Sequence, residues 1–133
     1  MKITQISVFL DNRAGRLAEM TQILENNHIN IRALYVADTT DYGILRMIVD
    51  DPEKTRQVLR ENGFTAKATE VLEVRMEDVP GGLHEIVETI SAKDIAIEYL
   101  YAFTGKDNKD KASVVMKVSD NDTVAELFKD LAK

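Results

Sequence analysis

The apolar positions of the chain change period several times within the first 65 residues. Ile6, Val8 and Leu10 recur at every second position, the period of a strand with one face buried. Leu17, Met20 and Leu24 then recur at helical spacing. The runs INIRALYVA (29–37) and GILRMIV (43–49) flank a DTTDY turn and predict a β-hairpin. Asp51-Pro52-Glu53 supplies an N-cap, a proline at the first helical position and an acid at the positive end of the dipole. Val58 and Leu59 are the inward residues of that helix, and Asn62-Gly63 ends it. Residues 64–69 predict one more strand.

The same succession then starts again. Shifted by 66 positions, residues 6–35 align with 72–101 without a gap, and eight of those columns are identical: Val8/Val74, Gly15/Gly81, Leu17/Leu83, Glu19/Glu85, Ile29/Ile95, Ile31/Ile97, Leu34/Leu100 and Tyr35/Tyr101. Beyond Tyr101 the offset becomes 69, pairing Val49 with Val118 and Leu59 with Phe128. The three extra residues fall in or near GKDNKDK (105–111), a polar stretch with the composition of a hairpin loop. The last helix is expected from about Asp120, burying Val124, Leu127, Phe128 and Leu131. The pattern predicts an α+β fold of two ferredoxin-like βαββαβ units with antiparallel sheets, over 1–69 and 70–133. The second unit stops directly after its helix, so its last strand is missing or comes from elsewhere.

Composition narrows the chemistry. The 133 residues contain no cysteine, which removes disulfides, thiolate metal sites and a cysteine nucleophile. A formal charge of −6 has the wrong sign for a nucleic-acid binder. No run approaches the roughly 20 apolar residues of a membrane span. A cytoplasmic protein without nucleic-acid or membrane partners is expected.

The segments DNRAGRL (11–17) and EDVPGGL (77–83) each link a strand to a helix. Unpaired N–H groups at a helix start, backed by the dipole, suit a carboxylate. Glycine there permits close approach and positive φ. Asn12 offers a carbonyl and an amide, able to hold an ammonium or a carboxylate. A zwitterion fits this combination. A plain turn with a capping side chain fits the same residues.

The segment DNRAGRLAEMTQILENNHINIRAL resembles the start of an ACT domain, the amino-acid-sensing module of biosynthetic enzymes. That family carries a pattern close to N-x-P-G-x-L between first strand and helix, and a phrase like G/H-x-N-I at the start of the second strand. Asn12, Gly15 and Leu17 match the first pattern, and His28 to Ile31 match the second. In the second copy Asp78, Pro80, Gly81 and Leu83 match, followed by Asp94 to Ile97. The whole chain is thus similar to small stand-alone tandem ACT proteins and to acetolactate synthase regulatory subunits. Three departures make the two sites unequal: Ala14 replaces proline, Asp78 replaces an amide, and Ala96 replaces asparagine.

The resemblance implies a non-catalytic regulator that binds an amino acid at the glycine turns, at the junction between ACT units. Its contacts would come from Leu10, Asp11, Asn12, Ala14, Gly15, Arg16 and Leu17, from Met76, Glu77, Asp78, Val79, Pro80, Gly81, Gly82 and Leu83, and from Asn30, Ile31 and Ala96. A strand of about seven residues separates Asn30 from its own unit's turn by about 20 Å. Asn30 would therefore serve the other turn if the units pair within the chain. The alternative function is a structural or interaction subunit docking to a metabolic enzyme, its ligand sites vestigial. A homodimer is expected, and no cofactor.

Other chemistry finds little footing. His28 and His84 share no register, so a metal site or general base is not expected from them. Asp107-Asn108-Lys109-Asp110 lacks the spacing of a calcium loop. Tyr99, Tyr101 and Phe103 alternate on one strand face without a basic RNA-binding signature, and are expected to cover the sheet face opposite the helices or a subunit contact.

Overall fold

The computed structural model describes residues 1–11, 13–38, 42–105 and 110–129. Among the described residues ten elements follow one another: β1 (Lys2–Asp11), α1 (Arg16–Asn26), β2 (Ile31–Asp38), β3 (Tyr42–Val49), α2 (Pro52–Glu61), β4 (Thr65–Glu77), α3 (Gly82–Ser91), β5 (Ile97–Phe103), β6 (Lys111–Val118) and α4 (Asn121–Leu127). The duplicated order expected from the repeat is present, with one difference. The strands anticipated over 64–69 and 70–76 are a single strand of 13 residues, β4. No glycine, proline or turn-forming pair lies between Thr65 and Glu77 to interrupt it.

The chain divides into an N-terminal unit, Thr4–Thr69, and a C-terminal unit, Glu70–Lys133 together with Met1–Ile3. In the N-terminal unit β3 lies between β2 and β1, antiparallel to both. Ile6, Val8 and Leu10 of β1 face Met47, Leu45 and Gly43 of β3 in register. Their side chains join Met20 and Leu24 of α1, Leu59 of α2, Phe64 and Ala66 in one buried cluster. Leu17, which shares the helical spacing of Met20 and Leu24, stays 43% exposed because it belongs to the first turn of α1, at the mouth of the helix.

The C-terminal unit repeats this plan. β6 lies between β4 and β5, with Leu72, Val74 and Met76 facing Met116, Val114 and Ala112. Leu72, Val74, Ile86, Ile90, Val114, Met116, Val124 and Phe128 form its core. Leu131 lies outside the described residues. The strand that the second copy lacks in sequence is supplied by the start of β1: the N–H of Glu73 donates to the carbonyl of Met1 at 2.8 Å. Tyr101 and Phe103 face Val115 and Ser113 across β5 and β6, and both partners are fully covered. These aromatics therefore cover the sheet face opposite the helices.

Helix ends follow the duplication closely. Asp51 accepts the N–H of Lys54 at 3.2 Å and Asp120 that of Thr123 at 3.1 Å, capping α2 and α4. His28 and Asp94 both stand at φ 57°, in the left-handed region just past α1 and α3. Beside His28 the N–H of Ile29 reaches back to the carbonyl of Leu24 at 3.0 Å, and that of His28 to Glu25 at 3.1 Å. His28 is thus a helix stop. His84, exposed on α3, approaches Glu88 at 2.8 Å.

Candidate functional site

Both strand-to-helix turns are built on a glycine in the left-handed region, Gly15 at φ 91° and Gly81 at φ 89°. An L side chain at either position is strained. In the first turn the N–H of Arg13 donates to the carbonyl of Asp11 at 2.8 Å, and the N–H of Glu19 to that of Gly15 at 2.9 Å. In the second the N–H of Gly82 donates to Val79 at 3.0 Å, and that of Glu85 to Gly81 at 3.1 Å.

The four helices divide into two kinds. α2 and α4 are capped at their N-termini by aspartate side chains, whereas among the described residues no side chain caps the N-terminus of α1 or α3. Helix geometry directs the amides of Leu17 and Ala18, and of Leu83 and His84, out of these uncapped mouths. Leu17 and Leu83 are both partly exposed beside them, at 43% and 37%. Asn12 lies outside the described residues. Asp78, its counterpart, donates its backbone N–H to the carbonyl of Asp110 at 3.0 Å.

Asn30 and Ile31 belong to the opposite end of their unit. Leu10 pairs with Gly43 while Ile31 pairs with Val49, six residues along β3. Asn30 exchanges bonds with Asp50 there, its N–H reaching the carboxylate and its carbonyl accepting the Asp50 N–H, each at 3.2 Å. Ala96 does the same with Ser119, at 3.2 and 3.0 Å. Within each unit the structure brings together the turn residues and holds Asn30, Ile31 and Ala96 apart from them.

The turns differ in their charges. Asp11 holds two guanidinium groups, those of Arg13 and of Arg16, whose Nε lies 2.7 Å away. These bonds, that from Arg13 foremost, keep the Asp11 carboxyl below the usual carboxylate range. Arg16 also reaches Glu19 at 3.0 Å and lies over the ring of Phe64, 4.1 Å from its centre. Its side chain is only 16% exposed, so it forms a wall of the first turn. In the second turn glycine stands at this position. A Cβ on Gly82 would lie 2.1 Å from the carbonyl oxygen of Glu77, so the backbone leaves no room for a side chain at this position. The carboxylate of Glu77 pairs instead with Lys111 across β6, at 2.7 Å.

Beneath Gly82 lies a cavity of about 270 Å³, lined by Met76, Glu77, Glu85, Ile86, Thr89, Lys111 and Phe128 among others. Most of these residues carry no motif. Only the repeat alignment, which sets Gly82 against Arg16, could have pointed to them. Among the described residues no group of three or more histidine, aspartate or glutamate side chains could hold a metal ion. No helix among them is long and apolar enough to cross a membrane.

A duplicated βαββα unit whose first helix opens on an uncapped glycine turn is the arrangement of an ACT domain. The ACT domain pair family model matches residues 1–131, and the chain belongs to that family. Among solved structures it is similar to protein BT0572 from Bacteroides thetaiotaomicron, with 39% identity and a TM-score of 0.90 over 98% of this chain and 88% of that one. It also shares its fold with the regulatory subunit of aspartate kinase from Thermus thermophilus, at 14% identity, TM-score 0.66, 98% of this chain and 93% of that one. The Thermus flavus aspartate kinase regulatory subunit matches at 12% identity and TM-score 0.64, over 100% and 96% of the two chains. No curated protein matches the sequence.

Proposed function

We propose that the chain is a non-catalytic regulatory protein that binds a free amino acid at its glycine turns. The carboxylate would lie on the amides opening α1 and α3, and the amino group on oxygens of the turn, with Asn12 or Asp78 beside it. The observation that carries this reading is the contrast in capping. Aspartate closes α2 and α4, whereas glycine leaves α1 and α3 open at both copies of the turn. Membership of the ACT domain pair family agrees with it. Regulation then requires that the ligand favour one arrangement of the protein over another, through a difference in affinity between them.

A thermal-shift screen against the common amino acids tests the proposal. A ligand at 100 times its dissociation constant adds about 2.7 kcal/mol of stability, enough to move a melting curve visibly. The expected result is a shift with a small subset of amino acids, reduced by Gly15→Ala or Gly81→Ala. The inequality of the turns, with Arg16 clamped in one and Gly82 against backbone in the other, favours a second reading, a docking subunit of a metabolic enzyme. No shift with any amino acid would establish that alternative over ours.

A further inference from the structure

The two copies treat one place in the fold oppositely. In the N-terminal unit the Arg16 guanidinium bridges Asp11 and Glu19 and stacks on Phe64. In the C-terminal unit the corresponding positions are Gly82, Glu77 and Glu85. The two carboxylate positions are kept, glycine replaces the arginine, and Lys111 pairs with Glu77 alone. Gly82, Glu77 and Glu85 all line the 270 Å³ cavity, whose floor is apolar: Met76, Ile86 and Phe128.

We infer that this cavity is a binding site for a small organic cation with a guanidinium head, which would take the place that Arg16 fills in the other copy. The charges around it agree. Glu77 and Lys111 neutralise each other at the rim. Arg75 also lines the cavity, but it alternates with the core residues Val74 and Met76 and pairs with Ser113 of β6, which places its side chain on the other sheet face. That leaves Glu85 as the carboxylate without an ion pair among the described residues of the cavity. A guanidinium offers a planar fork of donors to carboxylates and an apolar face to an aromatic ring, the two contacts that Arg16 makes. The stem of the ligand would rest on Met76, Ile86 and Phe128. Thr89 is no competitor for Glu85, because its hydroxyl donates to the Glu85 backbone carbonyl at 2.7 Å. This inference does not rest on the reading of the turns as amino-acid sites, although Glu77 and Gly82 belong to both.

Agmatine is the probe, because it carries a guanidinium and no carboxylate. Titrated into the full chain at constant ionic strength, it should shift the amide resonances of Glu77, Gly82, Glu85 and Thr89 saturably in a proton–nitrogen correlation spectrum. The amides of Asp11 and Glu19 should stay still. Glu85→Gln should weaken binding at least tenfold without changing the melting temperature. Arg16→Gly removes the resident guanidinium of the other copy, and agmatine should then raise the melting temperature of that variant beyond its effect on the parent. Absence of saturable shifts at millimolar agmatine, or shifts of equal affinity in Glu85→Gln, would overturn the inference. Failure of the amino-acid screen together with saturable agmatine binding would count against the turn reading alone.

Discussion

At position 82 an added Cβ would stand 2.1 Å from the carbonyl oxygen of Glu77, and backbone cannot yield as a flexible side chain can. Gly82→Ala should therefore destabilise the chain by roughly 1–3 kcal/mol, the usual cost of forced overpacking, and denaturant melts would show it as a lower midpoint. Gly15 and Gly81 pose a different problem. Nothing lies within 4 Å of a Cβ at either, and only the positive φ resists a side chain. Alanine there should cost about 1 kcal/mol, in line with the penalty for an L-residue in the left-handed region. Valine, branched at Cβ, should cost more, so alanine is the cleaner variant for separating lost binding from lost stability. Gly82→Ala as stable as the parent would contradict the close approach described here.

The helices place their own demands. α2 and α4 depend on Asp51 and Asp120 for their first amides, α1 and α3 on no side chain among the described residues. Asp51→Ala should lower stability by about 1 kcal/mol, as read from the same melts. Asp120 adds a pH signature. The hydroxyl of Thr123, followed by its backbone N–H, holds the Asp120 carboxyl below its ordinary value. Its contribution is therefore full above about pH 4, the unfolded range, and is lost as pH falls through the lower folded value. Asp120→Asn should flatten the acid limb of the stability profile and leave the neutral region little changed. An unaltered acid limb would refute that assignment.

Elements of this kind were largely legible in the sequence, because alternation and helical spacing are local and the repeat supplied each reading twice. Non-local features were not. Residues 64–69 read as a closing strand of the first unit alone, yet the strand continues through Val71 and Leu72 to Glu77 without a break. That Met1 bonds to Glu73 depends on a contact between residues 72 apart, which no window reveals. The cavity was hidden for the same reason: Gly82 looks like turn chemistry until the carbonyl of Glu77 is seen against it. The glycine turns were legible, and so was the distance of Asn30 from its own turn, since both follow from strand direction and length.

For the whole molecule, duplication supplies two turns of one design that have since diverged. The first is walled by Arg16 and stiffened by an ion cluster on Asp11. The second lacks that wall and has a cavity beneath it. Ligands should therefore distinguish the two, and Gly15→Ala and Gly81→Ala should reduce amino-acid binding unequally in calorimetric titration. Equal losses would mean that the divergence has no bearing on recognition.

The central claim is that uncapped amides at the mouths of α1 and α3 receive the carboxylate of a free amino acid. The most direct measurement follows the amide resonances of Leu17, Ala18, Leu83 and His84 while the amino acid selected by the thermal screen is titrated in. The account predicts saturable shifts at one of these pairs or both, absent when the same compound is supplied as its carboxamide. Still resonances there, or equal shifts with the carboxamide, would contradict it.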